Sequence, residues 1–244
     1  VSRVEQIGRT TLYLGDCRDS LGDTRADLLV TDPPYRVTSG GFGGYEGKLE
    51  GGFGGWIKDS YDNNGAIVTC DLDWSDWLPV AFDALADDAH AYIFTNDRNI
   101  PEAWRAAEDA GFQFHRLLPW DKKTALPNRW YVQNCEFVIF MRKGKAFQIN
   151  RCGTMALQSI FQRDQSDHPT EKPVPLLQLY IENSSQPRQL VLDPFMGSGS
   201  TGVAAIRSGR SFVGCEIEQK WFDIACKRIE DAQRQGDFFV DAAA

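Results

Sequence analysis

The stretch Leu190-Val191-Leu192-Asp193-Pro194-Phe195-Met196-Gly197-Ser198-Gly199-Ser200-Thr201-Gly202 opens on apolar residues, turns through two glycines and continues into small and apolar residues as far as Ser208. It reads as a strand over Leu190–Leu192, a tight turn, and a helix over Ser200–Ser208 with Gly209 at its end. Gly197-x-Gly199-x-x-Gly202 fits the glycine spacing of nucleotide-binding turns, a weak signal by itself. Working outward, Ser211–Cys215 reads as the next strand, and Gln219–Gln233 as a helix with Trp221, Phe222, Ala225 and Ile229 on one face. Upstream, Thr11–Leu14, Asp27–Thr31 and Ala89–Thr95 read as strands, and Trp74–Ala86, Ile100–Ala110 (Asn99 as cap, Pro101 in its first turn) and Pro173–Asn183 as helices. Phe112–Trp120 and Cys135–Met141 read as antiparallel neighbours. Strands alternating with helices imply an α/β fold, a mostly parallel sheet with helices on both faces.

A second stretch stands far from the first. The apolar run Asp27–Thr31 is stopped by Asp32-Pro33-Pro34-Tyr35. A buried parallel strand that ends there delivers Asp32 to the carboxyl edge of the sheet, where open α/β sheets bind ligands. Gly40-Gly41-Phe42-Gly43-Gly44 and Gly51-Gly52-Phe53-Gly54-Gly55 follow. Glycine at that density loses too much entropy on ordering to form regular structure, so 36–65 reads as a mobile glycine-rich loop, a lid beside Tyr35.

Composition narrows the alternatives. The 244 residues suffice for one domain spanning 1–244. No apolar run is long enough to cross a membrane and no signal peptide is visible, so a cytoplasmic protein is expected. The six cysteines are scattered with no Cys-x-x-Cys pair, and only three histidines occur, so no metal site is expected. The net charge is −8, yet between Arg116 and Arg151 eight basic residues face two acidic ones. A local basic face on an acidic chain suits a nucleic-acid groove. Within 116–167, a basic hairpin and short target-recognition region, Lys122, Lys123, Arg129, Arg142 and Lys143 are the candidate contacts to nucleic acid.

With Asp32-Pro33-Pro34-Tyr35 placed before Asp193-Pro194-Phe195-Met196-Gly197-Ser198-Gly199-Ser200-Thr201, the chain resembles the β-group amino DNA methyltransferases, whose catalytic half precedes the cofactor half. The resemblance covers most of the chain. It implies a circularly permuted, Rossmann-like S-adenosylmethionine-dependent methyltransferase acting on double-stranded DNA, with a homodimer as one possible assembly. The charge of the glycine turn agrees. A carboxylate at Asp193 would repel the pyrophosphate of a dinucleotide, whereas a sulfonium and an ammonium group suit it.

The resemblance also implies roles for individual residues. Asp32 and the Pro33 carbonyl would accept the two hydrogens of an exocyclic amine, with Pro34 completing the turn and Tyr35 stacking on the base; Asp32 also borders the cofactor. Phe195, Gly197, Ser198, Gly199, Ser200 and Thr201 would line the cofactor with Asp193, and Glu216 would accept from the ribose hydroxyls. His168-Pro169-Thr170-Glu171-Lys172-Pro173 resembles the segment that holds the methionine moiety, through His168, Thr170 and Lys172. Gly15-Asp16-Cys17 resembles the adenine-reading segment, although Asp16 reads equally well as a helix cap. Trp120, Asp121 and Lys122, at a strand end, are candidates for a wall of the base pocket.

In the family resembled, Asp at the first motif position goes mostly with adenine-N6 and Ser mostly with cytosine-N4, so adenine is expected here. Cytosine-N4, an RNA adenine target and an inactive nucleic-acid-binding module remain alternatives. The stretch 144–167 is short for a separate recognition subdomain, which implies a short or relaxed recognition sequence.

Overall fold

In a computed structural model of the chain, residues 1–34, 72–122, 134–145, 147–151 and 171–241 are described, the last six of them as backbone only. The glycine-rich loop 36–65, most of the target-recognition region, and the candidate site residues Tyr35, Lys123, Arg129, His168 and Thr170 lie outside them.

The described strands are β1 (Arg3–Ile7), β2 (Thr10–Leu14), β3 (Ala26–Thr31), β4 (Leu85–Thr95), β5 (Gln113–Asp121), β6 (Cys135–Lys143), β7 (Leu190–Asp193) and β8 (Ser211–Glu216). The described helices are α1 (Cys17–Ser20), α2 (Trp74–Asp83), α3 (Ile100–Asp109), α4 (Val174–Ser184), α5 (Ser200–Arg207) and α6 (Gln219–Asp241). One sheet holds the strands in the order β1-β2-β8-β7-β3-β4-β6-β5. The five strands from β2 to β4 run parallel, and β1, β6 and β5 are added antiparallel at the two sides. The expected α/β architecture and the antiparallel pairing of β5 with β6 are therefore present. So is the permuted order, since β8 and β7 slot between β2 and β3.

Side-chain alternation divides the core into two layers. Leu28 and Val30 of β3, Tyr92 and Phe94 of β4, and Val138 and Phe140 of β6 pack with α4, α5 and α6 on one face. Leu29, Ala91, Ile93, Ile139 and Met141 pack with α1, α2 and α3 on the other. Both faces are covered, which is why the central strands are apolar almost throughout.

Several boundaries differ from the sequence reading. The helix expected to reach Ala86 stops at Asp83, because Leu85 already pairs with Ala26 as the first residue of β4. β1 was not foreseen: it is largely exposed and shows no apolar alternation, and its pairing with β2 alone makes it a strand. The helix that the cap reading of Asp16 allowed is the four-residue α1, and α6 runs on past Gln233 to Asp241.

Candidate active site

β3 and β7 are parallel neighbours whose chains leave in opposite directions. From β3 the chain passes through α2 to β4 on one side, and from β7 it passes through α5 to β8 on the other. The two crossovers use opposite faces of the sheet, so a crevice opens at the carboxyl ends of β3 and β7. Asp32 and Asp193 emerge there.

The two segments are joined by a hydrogen bond. The Thr31 hydroxyl donates to Asp193 Oδ1 at 2.7 Å, and the Phe195 N–H donates to the same oxygen at 3.0 Å. The Thr201 side chain also hydrogen-bonds this carboxylate. Asp193 is only 2% exposed. Burial pushes its carboxyl up to about 6, against the pull of these donors.

Asp32 is the head of an alternating row of charges. Its Oδ2 accepts from Lys172 Nζ, which lies 3.5 Å from Glu136 Oε2 and 5.3 Å from the centre of the Phe94 ring. Glu136 Oε1 in turn accepts from Lys122 Nζ, which sits 5.4 Å over the Trp120 ring. The other Asp32 oxygen, Oδ1, is buried and has no partner among the described residues. Burial raises the Asp32 pKa; Lys172 opposes this and Glu136 adds to it. Lys172, expected near the methionine moiety, thus has its ammonium on the Asp32 carboxylate. Pro33 is buried behind Asp32, and Pro34 is half-buried.

The glycine turn is held from α6. Gly197 and Gly199 both have positive φ, 50° and 83°. A side chain at Gly199 would put its Cβ 2.9 Å from Ala225 Cβ, and one at Gly202 would meet Ile229 Cδ1 at 2.5 Å. At these two positions the missing side chain admits α6. Arg228 of α6 donates to the Ser198 carbonyl and hydroxyl, both at 2.9 Å, and to Glu171 Oε1. Ser200, buried, donates to the same Glu171 oxygen at 2.8 Å. Phe195 meets Trp77 edge-on at 5.0 Å.

At the end of β8, Glu216 accepts from the Glu218 N–H at 2.7 Å and from the N–H of Gly197, and burial raises its pKa. Asp16 lies on the same edge, since the Gly15 N–H donates to the Glu216 carbonyl at 2.8 Å. Its carboxylate caps α1 through the Arg18 N–H at 2.9 Å and pairs with the Arg18 guanidinium at 2.6 Å, which holds its pKa below the ordinary value. Cys17 is buried in the core, its thiol pushed up to about 12 by burial.

The basic set is divided. Lys122 stands at the site edge, but Arg142 and Lys143 end β6 at the opposite edge. Lys143 lies roughly 23 Å from Glu136 at the rise of a strand. Its ammonium donates to the carbonyls of Phe82 and Leu85, each at 2.8 Å, and so fastens the end of α2. Arg142 donates to the Gly144 carbonyl. The expectation that these two join Lys122 in one nucleic-acid face is corrected: β6 is nine residues long and carries them away. Trp120 is buried in the core rather than lining an open wall.

Sequence reasoning missed Glu136 and Arg228 and gave Glu171 no role of its own. Glu136 was visible only as an acid within a basic stretch, and nothing local marks Arg228. Among the described residues no His, Cys, Asp and Glu cluster could hold a metal ion, and no helix is long and apolar enough to cross a membrane.

Comparison with known proteins gives the same picture. A family model described as DNA methylase matches residues 26–227. The type II methyltransferase M2.DpnII of Streptococcus pneumoniae is 29% identical over 228 residues, which cover 84% of this chain and 82% of that protein. The type II methyltransferase M2.MboI of Moraxella bovis is 26% identical over 243 residues, 90% of this chain and 87% of that protein. The crystal structure of the M1.HpyAVI–SAM complex superposes with a TM-score of 0.66 at 26% identity, covering 90% of this chain and 99% of that one. The PvuII DNA methyltransferase, cytosine-N4-specific, shares the fold at a TM-score of 0.66 and 16% identity.

Proposed function

The chain belongs to the DNA methylase family, and from that premise we propose that it methylates the exocyclic N6 amine of adenine in double-stranded DNA, with S-adenosylmethionine as methyl donor. The observation that carries this reading is the Asp32 carboxylate. One of its oxygens is engaged by Lys172 while the other is buried and has no partner among the described residues.

The residues around that turn fit the cofactor. Asp193, Glu216 and Asp16 make an acidic donor set, hostile to a pyrophosphate and favourable to a sulfonium and an ammonium group. When bound, S-adenosylmethionine supplies an activated methyl group. Asp193, whose burial raises its pKa, is better ionised beside a cation. Glu216 is placed to accept from ribose hydroxyls, and the Arg228–Glu171–Ser200 cluster stiffens the turn.

An adenine amine is a poor nucleophile, because its lone pair is delocalised into the ring. Asp32 Oδ1 accepts one amine hydrogen and the Pro33 carbonyl the other. The nitrogen is drawn towards tetrahedral geometry, and the positive charge that develops on it is met by a carboxylate in a site partly shut off from water. The adenine leaves the duplex to reach this edge, and stacking on Tyr35 offsets part of the unstacking cost. Asp rather than Ser at position 32 supports adenine over cytosine, and the shortness of 144–167 supports a short or relaxed recognition sequence.

Mass spectrometry of nucleosides from the DNA of cells expressing the protein tests the base, and base-resolved methylation maps test the sequence. N6-methyladenine in a short context is expected. N4-methylcytosine alone would refute the adenine reading, and a strictly required long motif would refute the relaxed one.

A further inference from the structure

The row Asp32–Lys172–Glu136–Lys122 joins four separate parts of the chain: the end of β3, the residue before Pro173 and α4, the start of β6, and the end of β5. Lys172 is 8% exposed, Glu136 has 18% of its side chain exposed, and Asp32 has 26%. Charges this far from water persist where partners fix them, and removal of one partner leaves another uncompensated. Among the described residues this edge also carries Asp121 on β5, which accepts from Asn134 at 3.1 Å, Asp193 on β7, whose pKa the like charge of Asp32 raises, Glu216 at the end of β8, and Asp16 after β2.

The reaction makes a demand on this row. To accept an amine hydrogen, Asp32 must be a carboxylate, because a protonated carboxyl would present a donor. Its burial works against that form. Lys172 is the neighbouring cation that favours it, and contact on Oδ2 leaves Oδ1 for the substrate. Lys172 has a flexible four-carbon stem, and the Phe94 ring and Glu136 Oε2 are what aim its ammonium.

We propose that Lys172 and Glu136 are positioning residues for methyl transfer: Lys172 keeps Asp32 anionic and selects which of its oxygens meets the amine, and Glu136 aims Lys172. This rests on the methyltransferase reading, and it moves Lys172 from the cofactor to the target-base side of the site. Glu136 acts on Asp32 in two opposed ways. Through Lys172 it orders the carboxylate, but as a like charge it disfavours ionisation. The two positions therefore have opposite signatures. Lys172→Met leaves Asp32 without its cation, so the acid limb of the pH–rate profile moves to higher pH. Glu136→Gln removes a neighbouring negative charge, so the acid limb moves to lower pH although turnover falls.

Single-turnover methylation across a pH series, with cofactor and DNA saturating, reads both limbs. Lys172→Met is expected to slow transfer by at least about 100-fold and Glu136→Gln by about 10-fold, in the range of losses for groups that organise charge around a transition state. Lys172→Arg keeps the charge and should restore the wild-type acid limb with part of the rate. Cofactor affinity by calorimetry should stay within about threefold of wild type, a difference well below 1 kcal/mol. Carbon-detected NMR titration of the Asp32 carboxyl in the free protein follows the same two directions without any turnover. That readout separates the positioning idea from the choice of base, because it holds whether adenine or cytosine is methylated. Should either variant prove unstable, Lys172→Gln and Glu136→Ala, which remove the same charges, are titrated in its place and should give shifts in the same two opposite directions. Unmoved titrations, shifts in one common direction, or a Lys172→Met defect confined to cofactor binding would overturn the proposal.

Discussion

The two edges of this sheet are built from the same strands and treat buried polarity differently. At the carboxyl edge, Asp32, Asp193 and Glu216 are carboxyls whose burial raises their pKa, and one Asp32 oxygen has no partner among the described residues. At the amino edge the buried polar groups are largely neutral, and a connected set of them satisfies itself, while Thr10 Oγ1 and Asn183 Oδ1 find no partner among the described residues. Ser184 Oγ bridges His90 Nδ1 at 2.9 Å and the Tyr92 hydroxyl at 2.8 Å, and Arg210 donates to the Ser185 hydroxyl at 3.0 Å and carbonyl at 2.7 Å. The difference teaches where this fold holds charge that costs stability and where it secures its framework. Buried ionisable groups of this kind cluster at functional sites, which supports the carboxyl edge as the place of the proposed chemistry.

The largest effect should come from Asp32→Ala. It is expected to lower methyl transfer by at least about 100-fold. The melting temperature should move by no more than about 4 °C, the equivalent of about 1 kcal/mol in a chain of this size. A large loss of stability with activity retained would erase the contrast between the edges.

Gly202→Ala probes the framework of the reactive edge. The new Cβ would meet Ile229 and Phe212 at 2.5 and 2.9 Å. Overpacking of this kind costs about 1–3 kcal/mol. The shift of α6 should also weaken cofactor binding, because α6 carries Arg228. Calorimetry together with chemical unfolding measures both. Stability lost with cofactor affinity intact would show that α6 moves independently of the turn.

Ser184→Ala is the matching change at the quiet edge. It strips partners from His90 and Tyr92 and is expected to cost about 1–2 kcal/mol in urea unfolding. Turnover should stay at the wild-type level. A slower methylation rate would mean that the two edges communicate.

A gentler test uses pH. Asp193, pushed up to about 6, holds a proton in the folded protein that the unfolded chain has already released. Its contribution therefore makes stability fall as pH rises from about 4 to 6. His90, pulled down to about 4 by burial, stays neutral in the folded protein where the unfolded chain is protonated, so its contribution rises over the same window. Asp193→Asn should steepen the rise of stability with pH there, and His90→Gln should flatten it. Unfolding midpoints at several pH values read the slopes. In the wild type, cofactor affinity should weaken below about pH 6, as Asp193 takes up its proton.

The smallest effect expected is that of Lys143→Met. Loss of its two carbonyl contacts should cost about 1 kcal/mol of stability, with the salt dependence of DNA affinity unchanged. A reduced salt slope would bring the amino edge back into contact with phosphate.

Much of this could be read from the residues alone, for physical reasons that differ by region. The apolar run into Asp32-Pro33-Pro34 and the glycine turn after Asp193 are local patterns, and the sheet order places them side by side as expected. The apolar runs in β4 and β6 are equally local. What escaped depends on distant partners. β1 has no apolar signature because its stabilisation lies in the β2 ladder. Lys172 and Asp32 are 140 positions apart, so no spacing rule could join them. The basic residues misled for the opposite reason. They are close in sequence, but the hairpin carries Lys122 and Lys143 to opposite edges, and their charges end up serving Glu136 and the end of α2. Asp16 shows the limit of motif reading. Its capping geometry satisfies the bland expectation in full, and the carboxylate still stands on the reactive edge.

The insertion of β8 and β7 between β2 and β3 has a consequence for how the molecule comes into being. β2 and β3, consecutive in the chain, are separated in the sheet, and the hydrogen bond from Thr31 to Asp193 spans 162 positions. A chain emerging from the ribosome is expected to hold β1–β2 and the β3-β4-β6-β5 block as two pieces before β7 and β8 are available, each with an open edge where those two strands belong. Closing so long a loop is entropically slow, and until then both edges can pair wrongly. The final two strands complete the sheet and bring Asp193 and its glycine turn beside Asp32 in one step. Fragments that end before β7 are therefore expected to be inert as well as aggregation-prone, with activity arriving only once β7 and β8 are in place.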